Sequence, residues 1–438
     1  MLDGMRILTL ALITYLAAPC SIAQSGRGHS AALVRRPNIL IVLGDDMGVD
    51  MLTCYAEGSS PPCTPNIDSL ASRGLLFRNA WTNPTCSPTR SELLTGRYGF
   101  RTGIGQPVTN GNQGLPLSEV LLPEFLTGYS SSITGKWHLA GQGQGKSHPG
   151  KSGFGYHAGS MGNLSDYNNW QKVVNGSEST STTYATTDCA DEAIQAALTM
   201  PQPWLLYAAF HAPHAPFHVP PKGLCSCPSS SNCDSANSTS STAVKAKAMT
   251  EAMDSEIGRL LQVIPSDTLV VFMGDNGTGR AATEPPFDRE RAKGTLYEGG
   301  INVPLIITGA GTVQGESHAL VSSTDIFSTL GDLAGVPSLA QDSVSLVPYM
   351  VGSTEPQRSS VYAEYFTPNG PGPWTSHTRA VRDDRYKLIR ATGAADELYD
   401  LQLDPFEQVD LFPGLIQGSP LWDRYHFLVG EFVKLGVE

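Results

Sequence analysis

Residues 38–43, NILIVL, run apolar without alternation, as a strand covered on both faces does, and residues 269–273, LVVFM, repeat the pattern. The first run stops at Gly44, Asp45 and Asp46, and the second at Gly274, Asp275 and Asn276. Each predicted strand therefore delivers a glycine turn and two oxygen-bearing side chains to its carboxyl end. The runs WLLYAAF (204–210) and VPLIITG (303–309) extend the set, and helical periodicity in DEAIQAAL (191–198) and EAMDSEIGRLL (251–261) alternates with them. Such alternation predicts an α/β fold, in which ligands gather at the carboxyl ends of strands. After about residue 340 the pattern shortens. SVYAEYF (360–366), TRAVR and RYKLIRA on either side of the Asp383-Asp384 turn, and DELYDL (396–401) read as short antiparallel strands, with a last helix over about 420–435. The pattern thus predicts a large α/β domain over 24–340 and a smaller domain over 341–438, without solenoid repeats.

The 438 residues suffice for a large core and two or three domains. Ahead of the first strand, MLDGMRILTLALITYLAAPCSIAQSG has one early arginine, an apolar run from Ile7 to Ala18, and small residues at Ser21 and Ala23. These are the features of a signal peptide over 1–23. A lipoprotein signal would need a small residue before Cys20, where Pro19 stands. No later apolar run approaches the roughly 18 residues of a membrane span, so a soluble chain, secreted or lysosomal, is expected. Setting aside Cys20 and Cys86, six of the eight cysteines remain, enough for three disulfides in an oxidising compartment. Cys54 and Cys63 lie close enough for a local loop. Cys225, Cys227 and Cys233 read as staples of a Ser-rich surface insertion, with a zinc site as the weaker rival. Sequons begin at Asn163, Asn175 and Asn237, where a glycosylating host would attach glycans. The net charge of −12 and the lack of a long basic run exclude nucleic acid as a partner. An acidic chain still binds an anionic substrate where its few cations converge.

Residues 86–97, CSPTRSELLTGR, read as a helix start: Pro88 suits the first turn, Glu92 falls in that turn, and Leu93 and Leu94 can face a core. Cys86 then lies at the positive end of a helix dipole with Arg90 one turn above, and both stabilise an anion beside residue 86. A structural half-cystine or a buried thiol is the blander reading. Asp45, Asp46, Asp275 and Asn276 make an oxygen-only set, which selects calcium or magnesium over zinc. That role puts Asn276 inside the site and removes its sequon, Asn276-Gly277-Thr278, from use. Lys136 and His138 are two apart in TGKWHL and project to one side of an extended segment. His211 opens HAPHAP directly after a predicted strand, and Lys293 lies in AKGTLYEGG. Taken singly, Lys293 is a surface lysine and His138 a structural histidine.

The string CSPTR followed by LTGR resembles the signature of the type I sulfatases of the alkaline phosphatase superfamily, through Cys86, Pro88, Arg90, Leu94, Thr95, Gly96 and Arg97. TPNIDSLASRG (64–74) is similar to that family's early helix. Gly135-Lys136-x-His138, His211-x-Pro213 and Lys293-Gly294-x-x-x-Glu298-Gly299-Gly300 are similar to its cation-bearing segments, and ELYDL (397–401) with Asp404-Pro405 to its C-terminal domain. The resemblance covers nearly the whole chain beyond residue 23. It implies an alkaline-phosphatase-like α/β fold, with a large mixed, mostly parallel sheet sandwiched by helices and a smaller C-terminal antiparallel-sheet α+β domain. It also implies one calcium ion held by Asp45, Asp46, residue 86, Asp275 and Asn276. Cys86 is implied to be oxidised to formylglycine by a formylglycine-generating enzyme before folding.

The implied reaction is hydrolysis of aryl or carbohydrate sulfate monoesters, with Cys86, Arg90, Lys136, His138, His211 and Lys293 as catalytic residues. One hydroxyl of the aldehyde hydrate, made acidic by calcium, attacks sulfur. His211, assisted by Lys293, protonates the leaving alcohol, and His138 deprotonates the second hydroxyl so that sulfate departs and the aldehyde returns. Arg90, Lys136 and Lys293 share neutralisation of the sulfate with the metal. His214 and Trp137 are expected substrate contacts, and Ser160 stands where the family has a sulfate-holding serine. Two other readings remain: a phosphonate or phosphate ester hydrolase of the same superfamily, and an inactive protein that binds sulfated glycans. Choice of the alcohol falls to loops around 98–115, 141–185 and 212–242.

Overall fold

Alternate residues of the first apolar run face opposite sides of a sheet. Ile39, Ile41 and Leu43 enter one buried apolar layer, while Leu40 and Val42 enter another. The computed structural model describes residues 36–437 apart from 226, 228–231 and 339, so the signal peptide expected over 1–23 lies outside the described residues. The described residues form fourteen strands: β1 (Ile39–Gly44), β2 (Leu75–Trp81), β3 (Ser130–Lys136), β4 (Tyr156–Ser160), β5 (Trp170–Val174), β6 (Ser177–Ser181), β7 (Trp204–Ala209), β8 (Leu269–Gly274), β9 (Leu305–Thr308), β10 (Gly315–Ser322), β11 (Val361–Thr367), β12 (Ser376–Arg382), β13 (Tyr386–Ala391) and β14 (Glu397–Asp400). The longer helices are α1 (Pro65–Arg73), α2 (Cys86–Thr95), α3 (Ala185–Thr199), α4 (Thr242–Val263), α5 (Asp325–Ala334) and α6 (Pro420–Leu435).

The first ten strands form one sheet in the order β10-β2-β9-β8-β1-β7-β3-β4-β5-β6. Its centre, β8-β1-β7-β3-β4, is parallel throughout, and β9, β5 and β6 run antiparallel to their neighbours. One face packs under Leu93 and Leu94 of α2 and Ile326 and Leu330 of α5. The other packs under α1, α3 and α4 through residues such as Leu70, Ala193 and Met253. This is the sandwiched, mostly parallel sheet expected. Among the described residues no helix is long and apolar enough to cross a membrane.

β11 to β14 form a separate antiparallel sheet, with Asp383 at the β12–β13 turn accepting hydrogen bonds from the Arg385 and Tyr386 amides. Leu428 and Phe432 of α6 cover one face, beside Val381 and Leu388. The other face, with Val361 and Ile389, meets Trp81 and Leu320 from the large sheet and Ile301 from the short helix Glu298–Ile301. An ionic cluster pins that contact. The buried Lys387 ammonium of β13 lies 3.1 Å from Glu298 and 2.7 Å from Glu407, over the ring of Trp81.

The cysteines depart from the local pairing expected. Cys63 is bonded to Cys227 and Cys225 to Cys233, while Cys54 and Cys189 are free thiols. The Ser-rich insertion is therefore stapled both to itself and to the loop ahead of α1, and no zinc cluster forms there among the described residues. Sequence proximity is a weak guide to pairing because the fold decides which Cα atoms come within about 7 Å.

Removing one partner of a buried ion cluster leaves the others uncompensated. Lys387→Met is expected to lower stability by about 3–5 kcal/mol, measured by urea unfolding. An unchanged midpoint would show that the cluster does not hold the two sheets together.

Candidate active site

Pairing of β1 with β8 sets Gly44 opposite Gly274, so the residues that follow emerge side by side. The Asp275 amide donates to the Gly44 carbonyl at 3.0 Å, and the Asp46 amide to Asp275 Oδ1 at 3.1 Å. Asp46 reaches this position in the left-handed region, with φ of 65°, which a short polar residue tolerates better than most. Asn276 Nδ2 donates to Asp46 Oδ1 at 3.0 Å, and all four side chains are buried. β7 and β3 come next in the sheet, so His211 and Lys136 arrive at the same edge. α2 begins at Cys86, whose thiol donates to Asp45 Oδ1 at 3.2 Å.

Three cations answer three carboxylates. Arg90, fully buried, places Nε and Nη2 at 3.1 and 2.9 Å from Asp275 Oδ2 and donates from Nη1 to the Lys136 carbonyl at 2.8 Å. Lys136 Nζ lies 2.5 Å from Asp45 Oδ2 and 3.4 Å from Cys86 Sγ. The Lys293 ammonium contacts Asp46 and stands 3.8 Å from Cys86 Sγ. Burial works against the Asp45 carboxylate, but Lys136, His214 and Arg90 hold it well below the usual range. Burial likewise opposes the Lys293 charge, and Asp46 reverses that and raises it. Burial, then the Asp45 charge, push Asp275 up.

Two expectations for α2 are corrected. The helix start and Arg90 do not favour an anion on the Cys86 sulfur itself: burial, then Asp275 and Asp45, push its thiol well above the ordinary value, and Arg90 is paired with Asp275. Glu92 lies in the second turn, where it is buried, accepts a hydrogen bond from Ser323 Oγ at 2.6 Å, and is pushed up to about 8 by burial. Leu93 and Leu94 face the core as expected.

The oxygen set suits a hard divalent cation. Asn276 Oδ1 is buried without a hydrogen-bond partner, and the neighbouring ligand positions are carboxylates. Asp45, Asp46, Cys86 and His214 also bring one donor atom each within 4.8 Å of one another. His214 thus stands beside the carboxylates, with Nε2 4.0 Å from Asp46 Oδ2.

His138 also occupies the left-handed region, at φ 60°, so the extended path from Lys136 ends there. Both nevertheless border the site, and burial followed by Lys136 drives His138 well below its ordinary value. Trp137 points the other way. It is buried in the core with Nε1 3.1 Å from His148 Nδ1, so it cannot be the substrate contact expected. His211 Nε2 lies 2.7 Å from Ser160 Oγ, and burial and Lys136 push it down to about 3.

Two residues of the site carried no assignment from sequence. Tyr167 donates to the carbonyls of His211 and His214, both at 2.7 Å, and so fixes their turn. Ser87 Oγ donates to the His138 carbonyl at 2.8 Å and accepts from the Val108 amide at 2.9 Å. Ser87 adjoins Cys86 in the string already singled out; Tyr167 is 44 residues from His211 and left no local signal.

The family described as sulfatase matches residues 37–336, and the family described as N-sulphoglucosamine sulphohydrolase, C-terminal, matches residues 288–414. The chain is 33% identical to N-acetylgalactosamine-6-sulfatase of Sus scrofa, across 78% of this chain and 71% of that protein. It is 30% identical to arylsulfatase A of Homo sapiens, across 89% of this chain and 86% of that protein. Among solved structures, Ps i-CgsB in complex with k-i-k-neocarrahexaose superposes with a TM-score of 0.76 at 25% identity, covering 92% of this chain and 93% of that one. The PsFucS1 sulfatase from Pseudoalteromonas sp. superposes with a TM-score of 0.69 at 24% identity, covering 91% of each chain.

Ser87→Ala removes both bonds made by one buried hydroxyl. A loss of about 1–3 kcal/mol is expected, together with faster hydrogen exchange at the Val108 amide. Unchanged exchange there would mean that Ser87 does not tether the 103–115 loop to α2.

Proposed function

Because the chain belongs to the sulfatase family, it is a sulfuric ester hydrolase, and we propose that it cleaves aryl or carbohydrate sulfate monoesters at residue 86 with calcium and a formylglycine. The observation that carries this reading is the enclosure of Cys86 by three carboxylates, Asn276 and three cations at one sheet edge. Asp45, Asp46, Asp275 and Asn276 would hold the calcium ion, with residue 86 beside it. When bound, such an ion polarises oxygen as a Lewis acid. A hydrated formylglycine supplies two hydroxyls on one carbon, one to attack sulfur and one whose deprotonation expels sulfate. The buried, upshifted thiol of unmodified Cys86 supports this reading, since it is a poor nucleophile. Cys86 is only 2% exposed, so a formylglycine-generating enzyme would have to act before folding.

The chain's own residues divide the work. The three cations balance the three carboxylates, and a divalent ion adds a net charge of about +2, which draws an anionic ester into an otherwise acidic protein. Lys136 and Lys293, both within 4 Å of Cys86 Sγ, are placed to bind sulfate oxygens. Arg90 positions Asp275 and the Lys136 backbone. His211, held at Nε2 by Ser160, protonates the leaving alcohol; burial and then Lys136 depress it, and the negative charge arriving with the sulfate opposes the Lys136 effect. His138, with Nδ1 unpartnered, takes the proton in the release step. A secreted or lysosomal location agrees with two disulfides. Asn175 and Asn237 are exposed for glycans, whereas Asn276 is buried and Asn163, also exposed, faces a cavity beside His138.

Sulfate release measured beside phosphodiester cleavage tests the reaction class, and turnover of the phosphodiester alone would contradict it. Asp275→Ala is expected to remove both bound calcium and turnover, read by elemental analysis and sulfate release. Full metal content in that variant would place the ion elsewhere.

General acids contribute about 10²- to 10⁴-fold, and they matter most when the leaving oxygen needs its proton. His211→Ala is therefore expected to impair sugar sulfates severely and 4-nitrophenyl sulfate mildly. Equal fractional losses would remove His211 from proton transfer.

A further inference from the structure

A cavity of about 510 Å³ opens beside His138, between the segments around Val108–Asn110 and Met161–Asn163. Two hydrogen-bonded links join its walls to the reacting groups. The Gly162 carbonyl accepts from Ser160 Oγ at 2.5 Å, and that hydroxyl lies 2.7 Å from His211 Nε2. Ser87, next to Cys86, bonds both Val108 and His138. One wall is therefore a single hydroxyl away from the leaving-group acid, and the other a single residue away from the nucleophile.

The lining selects a ligand class. Asn110 and Asn163 are exposed on the cavity, and their carboxamides make no hydrogen bond to the described residues. A carboxamide offers a donor and an acceptor together, the complement of a sugar hydroxyl. Among the described residues, no phenylalanine, tyrosine or tryptophan lines the cavity, so an aryl ring finds no large aromatic face there and only the His138 imidazole at one end. The cavity's one ammonium, Lys146, is 2.7 Å from Glu178, which leaves no unpaired cation for a second anion. The geometry points to a carbohydrate subsite here: the alcohol half of the ester is a neutral sugar whose hydroxyls are bound by Asn110 and Asn163 while its sulfate lies at residue 86. This assignment rests on the sulfatase reading above.

The test uses the mature, calcium-loaded enzyme with 4-nitrophenyl sulfate and a panel of monosulfated neutral mono- and disaccharides. Replacing Asn110 and Asn163 together by alanine is expected to lower kcat/KM on the best sugar sulfate at least tenfold, chiefly through KM, and to spare 4-nitrophenyl sulfate. Ser165→Ala, which abolishes the Asn163 sequon but keeps the carboxamide, should leave both substrates unaffected. Glu178→Gln, which frees Lys146, should raise the preference for a disulfated over a monosulfated disaccharide. Equal losses on aryl and sugar sulfates, or no loss on the sugar, would overturn the subsite. Wild-type turnover of 4-nitrophenyl sulfate with no activity on any sugar would overturn it while leaving the sulfatase reading intact. Failure on every sulfate ester would instead overturn the sulfatase reading and the subsite with it.

Discussion

Three carboxylates buried at the ends of two neighbouring parallel strands are the constraint on which the rest depends. An isolated buried carboxylate is so costly to desolvate that it must be paired or must hold a metal. Asp45, Asp46 and Asp275 are each met by a cation from a different part of the chain: Lys136 from the end of β3, Lys293 from the loop after β8, and Arg90 from inside α2. The demand for Arg90 explains where α2 sits. Once its guanidinium forks onto Asp275, the helix is fixed, and Cys86 at its start is carried to the carboxylates.

The same constraint reaches the smaller sheet. Glu298 follows Lys293 by five residues and is itself buried against Lys387 of β13, while its amide donates to Glu407 at 2.6 Å. The C-terminal strands thereby anchor the short helix Glu298–Ile301 behind the Lys293 loop. A chain of net charge −12 can in this way hold a locally balanced site: three cations answer its three carboxylates, and a bound divalent ion would tip the sum positive.

Much of this was legible in the sequence, because buried strands and glycine-terminated strand ends are local patterns. NILIVL and LVVFM, each followed by Gly-Asp-Asx, gave the parallel pair and the oxygen donors together. The strands of the second sheet and α6 also fell where alternation and periodicity put them. What the sequence left open were directions and long-range partners. Helix position alone favours an anion at Cys86, but burial reverses this, together with carboxylates from 41 and 189 positions away. Trp137 sits between two site residues, and strand alternation turns it into the core. The Cys63–Cys227 bond spans 164 residues, beyond the reach of spacing arguments.

The central claim is that residue 86, enclosed by that charge cluster, is the modified nucleophile of a sulfate ester hydrolase. Mass analysis of the peptide containing residues 86–97 from active protein tests it directly. The account predicts a formylglycine in place of the Cys86 thiol, in a fraction of molecules that tracks specific activity. Full sulfatase activity with an intact cysteine at residue 86 would contradict it.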